Sequence, residues 1–301
     1  MKQGTPEWLE ARRGGIGGSD IAAILGLSPW TSPLAVWHAK MSGDSGPAND
    51  AMEWGHRLEA PVAERYAEGH PEYTVTGPRE MKFHPEYPRA FASVDGLLLN
   101  PDDQTPVGLL EVKTTSQLWS EVPLYYQAQV QWYMGIYGLP FCDVAVLAQG
   151  RHYSEFRVPF DERWFKVAVI SAETWWERHI VGGEVPPARA VDNGAKFWPA
   201  EDKEQSVEVP EELAHRLAVA RRRYKEAEEL KDAAEAELKL AMGPAARART
   251  ASGAQVASWT TTRRTSVDVK RLAAEYPDVH QAVLRESNSR TLRFQFKGDA
   301  A

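Results

Sequence analysis

Apolar and polar positions change their spacing along the chain, and each change predicts a different kind of element. From Trp8 to Lys40 short apolar groups recur at helical spacing between glycines. Ser19 can cap a helix from Asp20 to Leu25 that Gly26 closes, and Pro33 stands at the first turn of a second helix, Leu34 to Met41. Glycine, proline and serine over Ser42–Asn49 predict a surface loop. A longer helix follows over about Met52 to Glu68, where Pro61 either kinks it or marks its start. After Pro71 the spacing shortens to extended runs: Tyr73–Gly77, Glu80–Phe83, Arg89–Leu99 and Val107–Thr114, separated by turn residues and read as one antiparallel meander. Tyr125–Tyr137 returns to helical spacing, Phe141–Leu147 and Tyr153–Phe160 are further strands, and Glu162–Ile180 is an amphipathic helix rich in tryptophan.

This order, with helices before, between and after groups of strands, predicts an α+β or mixed α/β fold rather than a Rossmann repeat. The first segment spans 1–181. Residues 182–206 hold Pro186, Pro187 and Pro199 with an acidic run and are expected to be a linker. Over 207–242, Leu213, Leu217, Ala220, Tyr224, Ala227, Ala234, Leu238 and Ala241 follow alternating steps of three and four, interrupted by Lys231. That spacing predicts one long amphipathic helix with a packing or oligomer-contact role, ended by Gly243-Pro244. The last segment, 243–301, reads as a small α+β module: a hairpin around Ser252-Gly253, a helix over Val267–Glu275 and a strand over Thr291–Lys297.

Composition narrows the class. The 301 residues are 43% hydrophobic and 26% charged, which supports a buried core and excludes a disordered or fibrous chain. A single cysteine, Cys142, excludes a disulfide framework, a Cys-rich zinc site and a cysteine-ligated iron–sulfur cluster. No uncharged apolar run reaches about 18 residues and the N-terminus has no apolar signal segment, so a cytoplasmic protein is expected. The net charge of −7 argues against a polyanionic partner only globally. Residues 245–301 carry ten Lys/Arg against five Asp/Glu, a local excess of +5. Arg263, Arg264 and Arg290 in this tail either follow a DNA backbone, meet a protein partner or are solvated surface.

The candidate chemistry lies in the strands. On Leu110-Glu111-Val112-Lys113, residues two apart share a face, so Glu111 and Lys113 project together while Val112 faces the apolar side. An adjacent strand bringing Asp95 alongside would create a hard-cation site of the Mg²⁺ or Mn²⁺ type with a built-in ammonium. The alternative is a solvated ion pair beside a simple Asp95-Gly96 turn. Glu59 and Gln129 each interrupt an apolar helical stripe, as satisfied core polar groups or as members of the same site. The run Gly14-Gly15-Ile16-Gly17-Gly18 is either a capped flexible loop or a cradle for a terminal phosphate gripped by Arg12. Trp164, Phe165, Trp175 and Trp176 read as core or interface residues rather than base-stacking platforms, whereas Trp30 and Trp37 stand near the proposed phosphate pocket.

The order Gly55-His56-Arg57-Leu58-Glu59, Ser93-Val94-Asp95-Gly96, Glu111-Val112-Lys113 and Tyr126-Gln127-Ala128-Gln129-Val130-Gln131, preceded by Arg12 and Ser19 in an R-x-G-x-I-x-x-S pattern, resembles the YqaJ-type viral recombinase family. That family is similar to the lambda-phage exonuclease, within the PD-(D/E)XK nuclease superfamily, and the resemblance covers about residues 8 to 180. Val94 departs from it, standing where many relatives have the turn-forming proline.

The resemblance implies a restriction-endonuclease-like core with a central mixed sheet flanked by helices. It implies that Asp95 and Glu111 ligate metal, with Glu59 as an additional acidic ligand and the Val112 carbonyl completing a site. Lys113 would orient or deprotonate the attacking water, Gln129 would hold that water or the lysine, and Arg12, Ser19 and Ser93 would grip a 5′-phosphate. The implied activity is Mg²⁺- or Mn²⁺-dependent 5′-to-3′ digestion of linear duplex DNA, using two ions and leaving 3′ overhangs for a single-strand annealing protein. A ring trimer and a phage or prophage origin in a bacterial host belong to the same expectation. Two other readings fit the residues: an endonuclease on the same core, and a non-catalytic DNA-binding assembly module.

Overall fold

A computed structural model of the chain describes residues 5–43, 50–192, 194–198, 200–285 and 292–294. It divides into two compact units, Met1–Phe197 and Trp198–Ala301. The first unit begins with three helices, α1 (Pro6–Arg13), α2 (Gly18–Ile24) and α3 (Pro33–Ser42), followed by the long α4 (Asp50–Gly69). Strands β1 (Thr74–Val75), β2 (Lys82–Phe83), β3 (Phe91–Ala92), β4 (Gly96–Leu99) and β5 (Pro106–Thr115) come next. Helix α5 (Leu124–Tyr137) leads to the hairpin of β6 (Phe141–Ala148) and β7 (His152–Pro159), and α6 (Glu162–Trp176) continues into a π-helical turn, Glu177–Val181. The short α7 (Gly194–Phe197) ends the unit.

The central sheet has the order β1-β4-β5-β6-β7. Neighbours are antiparallel except β5 and β6, which run parallel because α5 carries the chain back across the sheet. This is the mixed sheet flanked by helices expected from the sequence. One expectation fails: the extended region before β5 is not a single meander. The run Arg89–Leu99 breaks at Ser93-Val94-Asp95, so that β3 pairs with β2 in a separate ribbon while β4 joins the main sheet. The break places Asp95 at the mouth of β4, one residue before the Gly96–Leu110 pair.

Two apolar layers cover the sheet. Leu110, Val112 and Leu98 pack with Val62 and Tyr66 of α4, while Leu109, Val144 and Val146 pack with Val130, Trp132 and Met134 of α5 and with α6. Phe165, Trp175 and Trp176 lie in the second layer, as expected of core residues. Pro61 stands inside α4, which starts eleven residues earlier at Asp50.

The glycine-rich stretch before α2 is not a free loop. Ile16 forms a bridge with Ala90, its amide donates to the Arg89 carbonyl at 2.7 Å, and its carbonyl accepts from the Trp132 indole at 3.2 Å. A Cβ on Gly15 would meet the Arg89 carbonyl oxygen at 2.5 Å, so glycine is what permits this close approach. Nor is Ser19 the helix cap. Gly17 occupies that position, and the Asp20 carboxylate reaches back to the Gly17 amide at 3.0 Å.

Residues 182–192, expected within the linker, are fastened to the first unit: Ser32 hydrogen-bonds the Asp192 carboxylate, and the Arg189 guanidinium donates to the Gly26 carbonyl at 3.2 Å. In the second unit α8 (Glu211–Met242) is the predicted long helix. A hairpin of β8 (Arg247–Arg249) and β9 (Gln255–Ser258) follows, then α9 (Val269–Glu275) and α10 (Pro277–Val283), the last not foreseen. Leu292–Phe294 form no strand, and the rest of the strand expected over Thr291–Lys297 lies outside the described residues, as do Arg290 and 44–49 of the expected loop. Among the described residues no helix is long and apolar enough to cross a membrane.

Candidate active site

The alternation of β5 puts Glu111 and Lys113 on the side of α5, with Val112 and Leu110 toward α4. Glu111 is only 2% exposed. A carboxylate so far from water requires partners. Lys113 Nζ lies 2.6 Å from Glu111 Oε1, and Gln129 Nε2 donates to the same oxygen at 2.7 Å. Gln129 also donates to the Tyr133 hydroxyl at 3.1 Å, one helical turn further along α5. The Lys113 ammonium stands over the Tyr126 ring, 4.9 Å from its centre. Asp95 approaches from the mouth of β4, and its Oδ2 accepts the Val112 amide at 2.8 Å. Gln129, which the sequence left open between a core polar group and a site member, thus contacts Glu111 directly.

Glu59 is a looser neighbour. Its carboxylate pairs with His56 Nδ1 at 3.1 Å and its side chain is 27% exposed. Helix α4 comes close to β5 at Gly55, where a Cβ would sit 3.5 Å from Thr114 Oγ1.

The electrostatics follow from burial. Burial pushes the Glu111 carboxyl up to about 8, and the Asp95 charge adds to this against the pull of Lys113. Asp95 is raised by burial, although Lys113 and the Val112 amide oppose the shift. Glu59 is raised by partial burial and by Asp95. For Lys113 burial works downward, but Glu111 and Asp95 outweigh it and hold the ammonium charged. The cluster thus holds more carboxylate than cation and binds protons more tightly than free carboxylates do.

These residues suit a hard divalent cation. Among the described residues no three His, Cys, Asp or Glu side chains close into a ready-made cage. Magnesium, however, typically takes one or two carboxylates and completes its shell with water and phosphate oxygens. Both hydrogen bonds that Glu111 accepts among the described residues converge on Oε1, and the pair Asp95 and Glu111 supplies the oxygen donors that such an ion prefers.

The expected phosphate-binding residues lie next to this network. Arg12 Nη2 donates to Ser19 Oγ at 3.1 Å and lies 3.9 Å from Asp20. Gly18 packs so closely on α5 that a Cβ there would fall 2.8 Å from Gln129 Cγ. One residue therefore separates Ser19 from contact with Gln129. Ser93, two residues before Asp95, has a buried hydroxyl without a hydrogen-bond partner among the described residues. Trp30 is 63% exposed and edge-stacked on Tyr125, with ring centres 4.6 Å apart, and Tyr125 contacts Tyr126 at 4.4 Å. Aromatic surface thus runs from Trp30 to the ring beneath Lys113. Trp37 instead donates its indole N–H to the His179 carbonyl at 3.0 Å.

Sequence reasoning missed a second charged cluster. Buried Asp143 on β6 accepts from Arg157 Nε and Nη2, each at 2.7 Å, and from the Tyr66 hydroxyl. A single acid within the apolar run Phe141–Ala148 was the available signal.

The fold is thus a mixed α+β core with an acidic, lysine-bearing strand pair at its centre. The chain matches the model of the YqaJ-like viral recombinase domain over residues 7–140. It is 29% identical over 308 aligned positions, 97% of this chain and 93% of the relative, to a Bacillus subtilis (strain 168) protein described as uncharacterized protein YqaJ. Among solved structures it is similar to an alkaline exonuclease from Laribacter hongkongensis, with 22% identity, a TM-score of 0.49, and coverage of 59% of this chain and 94% of that one. A phage-related exonuclease from Haemophilus somnus 129PT is similar at 12% identity and a TM-score of 0.43, covering 56% and 96% of the respective chains.

Proposed function

We propose that the protein is a metal-dependent deoxyribonuclease that digests linear duplex DNA from the 5′ end and leaves a 3′ single-stranded overhang for phage-type recombination. One observation carries this reading: Asp95, Glu111, Lys113 and Gln129, separated in sequence, meet in a hydrogen-bonded network that brings a buried carboxylate, a half-buried one and an ammonium together.

The chain's own groups divide the work. The Val112 amide orients Asp95, and Gln129 orients Glu111, so neither carboxylate needs to reorganise when substrate arrives. Lys113 is held charged by its acidic neighbours. It can orient the attacking water and stabilise negative charge that develops on the scissile phosphate. Magnesium or manganese, as one or two ions held by Asp95 and Glu111 with Glu59 and the Val112 carbonyl alongside, would supply an activated water and clamp the attacking and departing oxygens.

Arg12 and Ser19, already hydrogen-bonded to one another, present a guanidinium and a hydroxyl to a terminal phosphate, and the unpartnered Ser93 hydroxyl adds a third donor. In this reading the product passes to a single-strand annealing protein, and a ring of copies around the duplex explains processive digestion.

The test incubates end-labelled linear duplex, with and without 5′-phosphate, beside covalently closed plasmid and Mg²⁺ or Mn²⁺. Release of nucleotides from phosphorylated 5′ ends with intact circles is the expected result. Digested circles would establish an endonuclease instead, and an absence of cleavage would leave a DNA-binding module.

A further inference from the structure

Helix α8 spans 32 residues, about 48 Å at the α-helical rise. The first part of its heptad stripe faces solvent, with Leu213 and Leu217 exposed and Tyr224 68% exposed, while Leu238 near its end is half-buried. A bare polar-and-apolar helix of this length has little to stabilise it beyond local ion pairs such as Lys231–Glu235 and Lys239–Glu235. The stripe is also unequal in size. One of its two alternating rows holds Leu217, Tyr224, Lys231 and Leu238, while the other holds Leu213 followed by Ala220, Ala227, Ala234 and Ala241.

Charges beside the stripe are segregated along the helix. Arg216, Arg221 and Arg223 flank its first half, and Glu228, Glu235 and Glu237 flank its second. Arg216, Arg223, Glu228 and Glu237 make no ion pair among the described residues, and Arg221 lies over the Phe294 ring at 4.1 Å.

We propose that α8 pairs with α8 of a second copy of this chain as an antiparallel coiled coil. Turning one copy end for end sets the large residues of the central layers opposite small ones: Tyr224 against Ala227 of the partner subunit, and Leu217 against Ala234 of the partner subunit. Leu213 then meets Leu238 of the partner subunit at both ends. The same register carries Arg216 to Glu237 of the partner subunit, and Arg221 to Glu228 of the partner subunit. Flanking charges of this kind set partner and orientation in coiled coils. A parallel pair would instead place Arg216 beside Arg221 of the partner subunit and Lys231 against Lys231 of the partner subunit, which like charge disfavours. This pairing is independent of the nuclease reading.

The test uses the full chain, whose native Cys142 is buried, so wild-type protein reports the background. Leu213→Cys and Leu238→Cys proteins, one of them tagged, are oxidised mildly, alone and as an equimolar mixture. The expected result is a disulfide-linked mixed dimer in the mixture and little self-linked dimer from either alone. Self-linking of each variant by itself would indicate parallel pairing and overturn the proposal, as would a chain that sediments as a monomer at all concentrations. Independently, Arg216→Glu with Arg221→Glu should weaken association at least about tenfold, and adding Glu228→Arg with Glu237→Arg should restore it. Association indifferent to these reversals would also overturn the proposal.

Discussion

The carboxylate of Asp95 is fixed 2.8 Å from the amide nitrogen of Val112, directly beside Glu111. This bond crosses from the mouth of β4 to the centre of β5 and exists because the extended run breaks at Ser93-Val94-Asp95 instead of continuing. Asp95→Asn keeps a carbonyl oxygen that can accept the amide but removes a charge. The variant is expected to fold with a nearly unchanged melting temperature and to lose DNA cleavage by about a hundredfold or more, the scale on which pre-set polar groups act. A time course on labelled duplex, beside a thermal melt, separates the two effects. Cleavage at the wild-type rate would remove Asp95 from the chemistry.

Two partly compensated carboxylates in one buried cluster should also respond to cations in the absence of substrate. If Asp95 and Glu111 hold a divalent ion, Mg²⁺ or Mn²⁺ stabilises the folded chain by mass action, roughly 2.7 kcal/mol at a hundredfold excess over Kd. The melting temperature of the wild type should therefore rise with metal, and that of an Asp95→Asn, Glu111→Gln variant should not. Differential scanning calorimetry with and without chelator provides the measurement, and its readout does not depend on activity.

Much of this site was legible in the sequence because it violates local rules. Glu111 and Lys113 are charges on an apolar strand, and Gln129 interrupts an apolar helical stripe; each violation marks a group whose partners come from elsewhere in the fold. The same rule applied to Asp143 in Phe141–Ala148 would have found its pairing with Arg157 and Tyr66. Other features leave no local trace. Ser19 looks like a helix cap because the serine type favours that position, whereas the observed arrangement gives the cap to Gly17 and uses the Asp20 side chain in return. Long-range pairing decides that β5 runs parallel to β6, and that β3 and β4 belong to different sheets, so residue period alone could not separate Phe91–Ala92 from Gly96–Leu99.

Arg12 and Ser19 stand apart from the carboxylates yet adjoin them through Gly18. A terminal phosphate bound there would set the distance from the DNA end to the scissile bond. Arg12→Ala should therefore abolish the preference for 5′-phosphorylated over 5′-hydroxyl ends, while Asp95, Glu111 and Lys113 remain in place. Initial rates on the two substrates give the ratio; a variant that retains the wild-type ratio would place end recognition elsewhere.

Lys113 has a structural role separable from its chemistry. It is the cation nearest Glu111, whose side chain is 3% exposed against 17% for the lysine. Removing one partner of a buried pair costs about 3–5 kcal/mol, because the other is left uncompensated. Lys113→Met should fall toward the low end, since Glu111 can take up a proton and Gln129 still donates to it. Adding Glu111→Gln should recover most of the loss in stability without restoring cleavage. Urea unfolding of the single and double variants tests this, and a double variant as unstable as the single one would contradict it.

Asp20 makes a further prediction, this one for acid. Its burial works to raise the carboxyl, but Lys40, with Nζ 2.8 Å away, and then Arg12 outweigh burial and bring it below its ordinary value of 3.8. A carboxyl depressed in the folded state binds its proton more readily when unfolded. Its contribution is therefore complete above the ordinary value and is lost as pH falls through the folded one. Asp20→Asn should be less stable than wild type at neutral pH, because the buried Lys40 ammonium loses its charged partner and keeps only neutral acceptors, the Arg12 carbonyl and an amide oxygen. The gap should narrow as pH drops below 3.8, where the wild-type carboxyl progressively becomes neutral. Melting temperatures of both proteins across the acid range trace the curve. A difference that stayed constant down to the acid limit would show that the Asp20 charge contributes nothing and that only the shape of the side chain matters in holding α2 against α3.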